Sequence, residues 1–130
     1  MPRPLQTKTE PEGKLEIRVL AMPANINPNG DIFGGWVVSQ MDLAGLSCAR
    51  GFAQGRITTV AINSMVFYSP IKIGDFICCY AKMLKVGRTS MHIKIEVWAI
   101  GGDDQIRRHV TEGIFVYVAI DENGKPRPIS

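Results

Sequence analysis

Two glycines and an aspartate near the start of an apolar segment are the residues of this chain best suited to chemistry. Gly34 and Gly35 precede a helix-forming run from Trp36 to Arg50, and Asp42 is the one carboxylate in that run. Asp42 follows Gly35 by seven residues, close to two helical turns, so both lie on one helix face. The first N–H groups of a helix are unpaired, and glycine lets a substrate oxygen approach them closely. The pattern makes the Gly35 N–H a candidate oxyanion donor, with Gly34 shaping the turn, and Asp42 a candidate general base or nucleophile.

The composition alone leaves Asp42 open to two interpretations. The run around it has few polar residues, so we expect a helix that is buried nearly all round. An ionised carboxylate there costs on the order of several kcal/mol unless it is paired or hydrogen-bonded. It is either a structural acid held by hydroxyls such as those of Ser39 or Ser47, or a reactive group.

The loop before the helix contains two further polar candidates. Asn27 can both donate and accept hydrogen bonds, so it could orient a water or a carbonyl, or it could cap its own turn. Asp31 is expected to cap the glycine turn and the start of the helix.

Cysteine and histidine chemistry has little support in this sequence. Cys48, Cys78 and Cys79 are odd in number and lack the spacing of a zinc site, so we expect reduced, buried thiols and no metal. His92 and His109 accompany no nucleophile motif, and we expect both at the surface.

The length and composition are typical of one globular unit. The 130 residues are 45% apolar and 21% charged, and no apolar run approaches the roughly 18 residues of a membrane span. We expect a flexible N-terminal arm, 1–13, and a single domain, 14–130, in the cytoplasm, without a membrane partner. The net charge of +3 is scattered, which argues against nucleic acid.

The pattern of the chain predicts an α+β fold, one helix lying on a five-stranded antiparallel sheet. The predicted strands are 15–22, 57–69, 76–86, one beginning near Ser90, and 107–120. In the fourth strand the alternation is clearest: a core face carries Met91, Ile93, Ile95 and Val97, and the other face carries His92, Lys94, Glu96 and Trp98.

The last strand and the face away from the helix suggest a partner. We place Val110, Ile114, Val116, Val118 and Ile120 in phase, and Phe115 and Tyr117 with Trp98 on the face opposite the helix. Oligomerisation is the simplest way to cover that face.

Several motifs together resemble the YciA-type acyl-coenzyme A thioesterases of the hot-dog fold, in which a five-stranded sheet wraps around one long buried helix. The resemblance spans residues 15 to about 127. Its motifs are Leu20-Ala21-Met22-Pro23, 27–36, Ser39-Gln40-Met41-Asp42, Gly74-Asp75 with Cys78-Cys79-Tyr80-Ala81, and Tyr117-Val118-Ala119 before Gly124-Lys125-Pro126.

The resemblance implies hydrolysis of acyl-CoA to a free acid and CoA, with no cofactor apart from the CoA of the substrate. It implies a homo-oligomer in which a dimer is the catalytic unit, assembled as a trimer of dimers. Each site would combine the Asn27 loop of one subunit with the Asp42 helix of the other, and the asparagine and aspartate would be the catalytic pair.

The substrate also needs groups that bind its phosphates and its pantetheine arm. Arginine and lysine suit phosphates, and the candidates are Arg88 with Ser90 in a turn and Lys125 with Arg127 in the tail, although each could be merely solvated. Thr59 and Asn63 are candidates for the pantetheine arm, and Phe33 and Gly34 for the substrate near the helix start.

Two other functions stay open for such a fold. A hot-dog hydratase or dehydratase would use a histidine paired with an acid, and the loop and helix contain no histidine. A non-catalytic acyl-CoA-binding module would have little need of Asn27 and Asp42.

Overall fold

The computed structural model describes residues 9–32, 34–102 and 106–129. One long helix and five strands form the fold, in the order β1 (Lys14–Leu20), a short 3-10 helix (Pro23–Asn25), α1 (Gly34–Arg50), β2 (Ile57–Phe67), β3 (Phe76–Val86), β4 (Ser90–Ile100) and β5 (Arg107–Ala119). The strands pair antiparallel in the order β1-β3-β4-β5-β2, with α1 packed on one face. The predicted α+β architecture is confirmed.

Helix α1 begins two residues before the predicted start and ends at Arg50, where Gly51 follows. Its sheet-facing side is buried and is formed by Val37, Met41, Ala44, Gly45 and Ala49. The expectation of burial nearly all round is wrong, because Leu43 on the outer side remains 54% exposed in the single chain. The outer side of the helix therefore combines exposed Leu43 with polar residues such as Ser39 and Ser47.

The core lies between α1 and the central strands. The predicted core face of β4 is confirmed, since its four apolar side chains are fully buried: Met91, Ile93, Ile95 and Val97. The bounds of β3 match the prediction, whereas β1 and β2 each end two residues earlier than predicted.

Strand β5 corrects the sequence-based assignment of faces. Phe115 and Tyr117 belong to the core beneath α1, and the Tyr117 hydroxyl contacts the helix backbone, so they do not lie on the opposite face. The reason is a β-bulge: pairing with β4 passes from Thr111 to His109 and skips Val110. A bulge shifts the alternation of side chains between the two faces of the sheet by one residue. Two residues an even number of positions apart, one on each side of the bulge, therefore face opposite sides of the sheet.

The outer face of the sheet buries Trp98 without any second chain. Its indole is fully buried, stacks on the His109 ring at 4.7 Å between centroids and donates to Glu96 Oε1 at 3.0 Å. The expectation that His109 lies at the surface is wrong, because its ring is buried against the Trp98 indole. His92 is half-buried. Trp98 is therefore no evidence for a partner.

Large apolar side chains are exposed instead on the edge strand β2 and on α1. Besides Leu43, the exposed residues include Val60, Ile62, Val66 and Phe67. Among the described helices, α1 included, none is long and apolar enough to cross a membrane.

Candidate active site

Asp42 lies in the middle of α1, half-buried, where the helix faces β2 and β5. Its Oδ1 atom accepts a hydrogen bond from Thr59 Oγ1 at 2.6 Å and one from the Tyr117 hydroxyl at 3.1 Å. The same hydroxyl lies 2.8 Å from the main-chain carbonyl oxygen of Asp42. Ser39 and Ser47, the hydroxyls suggested by the sequence, bond elsewhere, to Trp36 and to Glu16. The carboxylate is thus held by one sheet residue from each of two paired strands.

Tyr117 acts in this arrangement as a neutral donor. Burial, and then the negative charge of Asp42, raise the pKa of the phenol above its ordinary value. A phenol that keeps its proton throughout the physiological range can donate to a carboxylate at any working pH. The sequence analysis missed this residue, although a tyrosine within an apolar strand signals a hydroxyl that needs a partner.

Gly45 makes room for the tyrosine. A Cβ atom at this position would lie 2.0 Å from the Tyr117 hydroxyl oxygen and 2.6 Å from its ring carbon Cζ. Glycine inside a helix costs about 1 kcal/mol relative to alanine, which is a sequence signal of a close approach by another group. Gly45 follows Asp42 by three residues, so it opens the same helix face.

The N-terminal end of α1 is exposed at Gly34 and Gly35. A Cβ atom at Gly35 would meet nothing within 4 Å, so the space beside its backbone is open. This end of the helix has unpaired N–H groups and the positive end of the dipole, which are the features required of an oxyanion site. Phe33, the neighbouring candidate for substrate binding, lies outside the described residues.

Asn27 lies in the turn before the helix, and its Oδ1 accepts hydrogen bonds from the N–H groups of Asn29 and Asp31 at 2.9 and 3.2 Å. The turn-capping interpretation is therefore satisfied, while its amide NH₂ keeps donors for another group. Asp31 pairs with Lys72 at 2.5 Å, and its capping of the helix start stays a prediction.

A cavity of about 190 Å³ adjoins this turn, lined by Asn27, Gly34, Val37, Phe67, Ser69 and other residues. Asp42 is not among its lining residues, because its side chain points to Thr59 and Tyr117. The structure thus places Asn27 beside the helix start and keeps it apart from the Asp42 carboxylate of the same chain.

The candidate phosphate-binding residues come together at one end of the sheet. The tail folds back so that Ile129 N–H donates to the Arg88 carbonyl at 2.9 Å, and Arg127 N–H donates to the Ala119 carbonyl at 2.9 Å. Lys125 and Arg88 are exposed, and Ser90 is half-buried. In the sequence the turn and the tail are separate candidates for phosphate binding, and the fold makes them neighbours.

The Arg127 guanidinium is already engaged within the chain. Its Nε donates to the Ile120 carbonyl at 2.9 Å, and its Nη2 atom donates to carbonyls of Gln54 and Arg56. These contacts tie the tail to the connection between α1 and β2. A structural role for Arg127 is thus evident, and its binding of phosphate stays a prediction.

Thr59 and Asn63 take different positions on β2. Thr59 directs its hydroxyl to Asp42, so it belongs to the acid's surroundings. Asn63 is exposed and precedes Ser64, which has a left-handed φ of 57° at an irregularity in the pairing with β5. The structure brings only the first of the two to Asp42.

One group of potential metal ligands lies away from this site. Single ligand atoms of Glu96, His109 and Glu112 lie within 4.8 Å of one another on the outer face of the sheet. The Lys94 ammonium lies 3.6 Å from Glu112 and 3.9 Å from Glu96, so a cation of the chain itself already faces both carboxylates. The three cysteines are free thiols, with Cys78 and Cys79 buried.

Comparisons with known proteins show the family of this chain. The family model described as "Thioesterase superfamily" matches residues 29–105, which include Gly35, Asp42 and Thr59. The acyl-CoA thioester hydrolase YciA of Salmonella typhimurium is 49% identical over 122 residues, 92% of each chain. The chain belongs to the thioesterase superfamily.

Solved structures of thioesterases agree in fold. The hexameric thioesterase y2039 from Yersinia pestis has a TM-score of 0.89 and 49% identity, covering 93% of this chain and 98% of its own. HI0827, described as a hexameric broad specificity acyl-coenzyme A thioesterase, has a TM-score of 0.87 and 48% identity, covering 93% and 84%.

Membership in the thioesterase superfamily confirms the resemblance found in the sequence, and the hot-dog fold with it. It also confirms that the chain is a thioester hydrolase. Thioester hydrolysis therefore takes precedence over the hydratase and the non-catalytic binding module as the function of this chain. The roles of individual residues in this thioesterase stay predictions.

Proposed function

We propose that this thioesterase hydrolyses acyl-CoA to a free carboxylic acid and CoA, with Asp42 as the reacting acid. The observation that carries the proposal is the Asp42 carboxylate, held by two hydroxyls on the helix whose N-terminus is open at Gly35. Relatives named as acyl-CoA thioester hydrolases support the substrate class.

The thioester carbonyl oxygen binds the Gly35 N–H of the subunit that supplies Asn27, because within one chain Gly35 lies seven residues, about 10 Å along the helix, from Asp42. The dipole of that α1 stabilises the negative charge that develops during attack. Asp42 then either takes a proton from the attacking water or attacks the acyl carbon itself to form an anhydride that water opens. In both routes the C–S bond breaks and the CoA thiolate leaves. Arg88, Ser90 and Lys125 bind the phosphates, together with Arg127, while Asn63 lies along the pantetheine arm and the Thr59 hydroxyl stays on Asp42.

The oligomer is part of this proposal. Within one chain Asn27 lies beside the helix start and away from the Asp42 carboxylate, so a complete site takes Asn27 from the partner subunit. The apolar side chains exposed on α1 and β2, such as Leu43 and Val60, supply surface for that contact. Hexameric relatives support a trimer of such dimers.

A thiol-release assay with acyl-CoA substrates of increasing chain length tests the activity. Asp42→Ala should lose turnover by at least about a hundredfold while keeping its oligomeric mass and circular dichroism, because the reacting group is gone. Glu10→Gln, which removes an exposed carboxylate elsewhere, serves as the matched control and should keep full activity. Wild-type turnover by Asp42→Ala would refute the assignment.

Subunit complementation tests the shared site. Asn27→Ala and Asp42→Ala chains, each inactive alone, are co-expressed with different tags, and the mixed oligomers are purified by both tags. If each site combines Asn27 and Asp42 from different subunits, every mixed dimer has one intact site, and random pairing restores about one quarter of wild-type activity. If both residues come from one chain, no mixed dimer has an intact site and activity stays absent.

Isotope labelling distinguishes the two chemical routes. In a single turnover with enzyme in excess in ¹⁸O-water, an anhydride route places ¹⁶O from Asp42 in the first acid product when water attacks the aspartyl carbon. A general-base route places ¹⁸O from water in that product, as does an anhydride opened at the acyl carbon, so ¹⁶O in the first product identifies the anhydride route.

A further inference from the structure

We propose that Thr59 and Tyr117 are positioning residues that hold Asp42 through Oδ1, so that Oδ2 is the oxygen that reacts. This inference rests on the proposed function, in which Asp42 is the reacting acid, and it assigns a role to two hydroxyls from separate strands.

The geometry is asymmetric between the two carboxylate oxygens. Thr59 Oγ1 and the Tyr117 hydroxyl lie 2.6 and 3.1 Å from Oδ1. Within residues 9–32, 34–102 and 106–129, the side-chain hydrogen bonds that Asp42 accepts all fall on this one oxygen. A carboxylate rotates readily about its last side-chain bond, and two donors converging on one oxygen remove that freedom. Oδ2 is thereby directed to one fixed side.

Tyr117 also fixes the backbone of Asp42. Its hydroxyl lies 2.8 Å from the Asp42 carbonyl oxygen, so a single group contacts both the main chain and the side chain of the acid. Thr59 and Tyr117 are directly paired partners across β2 and β5, and this pairing sets the spacing between their hydroxyls. Two hydroxyls from paired strands therefore fix the orientation of the Asp42 carboxylate relative to the sheet.

The chemistry needs one free oxygen and not two. In the base route, Oδ2 takes the proton of the water whose oxygen bonds to the acyl carbon, and the thiolate leaves with the C–S electron pair. In the nucleophilic route, Oδ2 itself bonds to that carbon and the same C–S bond breaks. Misplacing such an oxygen by about 1 Å costs about a hundredfold in rate. Losing a hydroxyl should therefore lower kcat and leave KM nearly unchanged.

Three single variants test the role of the hydroxyls in the full oligomer. Thr59→Val keeps the shape and removes the hydroxyl, Thr59→Ser keeps the hydroxyl, and Tyr117→Phe keeps the ring. We expect Thr59→Val and Tyr117→Phe to lower kcat by about ten- to a hundredfold with KM within about twofold, and Thr59→Ser to restore most of the rate. Oligomeric mass and circular dichroism establish that each variant is folded.

The double variant of Tyr117→Phe with Asp42→Ala separates a positioning role of the Tyr117 hydroxyl from a structural role. If the hydroxyl acts through the acid, Tyr117→Phe adds no further loss to the residual rate of Asp42→Ala, whereas a structural effect multiplies both losses. Wild-type kcat in Thr59→Val and Tyr117→Phe, or a raised KM with unchanged kcat, would overturn the inference while inactive Asp42→Ala still supports the proposed function. An active Asp42→Ala would refute the proposed function itself.

Discussion

The Gly45→Ala substitution is a sharp test of how closely Tyr117 approaches the helix. In an ordinary helix the change stabilises, since alanine is favoured over glycine by about 1 kcal/mol. Here the new Cβ atom would lie 2.0 Å from the Tyr117 hydroxyl oxygen, well inside a normal contact of about 3.5 Å. The ring must withdraw, and its hydroxyl then leaves Asp42.

The expected stability change follows from three contributions. Overpacking costs about 1–3 kcal/mol, and a buried hydroxyl that loses its partners costs about 1–3 kcal/mol more. The helix-propensity gain offsets about 1 kcal/mol of this, so the free energy of unfolding of Gly45→Ala should fall by about 1–5 kcal/mol. The sign is opposite to that of the same substitution at an open position.

Gly35→Ala is the matched control for stability, because it lies in the same helix and its Cβ atom would meet nothing within 4 Å. Both variants are unfolded in urea at one protomer concentration, since assembly makes stability depend on concentration. We expect Gly35→Ala to be neutral or stabilised and Gly45→Ala to be destabilised. Equal stability of Gly45→Ala and the wild type would refute the contact between Tyr117 and the helix.

Two further predictions concern the thiols and the tail. Burial raises the pKa of the Cys79 thiol to about 12, whereas an unfolded thiol ionises near 9.0, so the unfolded chain loses its proton first and the free energy of unfolding should fall between those pH values. Urea unfolding at about pH 8 and about pH 10.5 checks this, and Cys79→Ala should show a smaller fall. Arg127→Lys removes the guanidinium contacts with three carbonyls and should lower the free energy of unfolding by about 1–3 kcal/mol, whereas Lys125→Arg, an exposed control, should not. Unchanged stability of Arg127→Lys in the same urea titration would contradict a structural role for this side chain.

The sequence predicted the elements well where one periodicity dominated. The helix, predicted from Trp36 and observed from Gly34, its end at Arg50 and the core face of β4 follow from helix formers, a glycine stop and strict alternation. The acid and the glycine at the helix start could be paired as candidates because both lie on a single element, where spacing along the chain determines geometry.

The parts that could not be predicted depend on several elements at once. Strand β5 is apolar on both faces near Tyr117, so alternation could not assign a face, and the bulge at Val110 reversed it. Spacing along the helix indicates Ser39 and Ser47 as donors to Asp42, but the hydroxyls come from β2 and β5, whose register no local pattern reveals. His109 was misplaced because its covering groups, Trp98 and Tyr68, are distant in the sequence.

The hydrogen bonds on Asp42 have a consequence for how the protein acquires activity as it folds. They join the acid to residues 17 and 75 positions further along the chain, the second of them in the last strand. Contacts of such long separation form late, after local helix structure. A chain that has formed α1 and its first hairpins still lacks an oriented acid. In refolding experiments, catalytic activity should thus return with the docking of β5 and lag behind the recovery of helical circular dichroism.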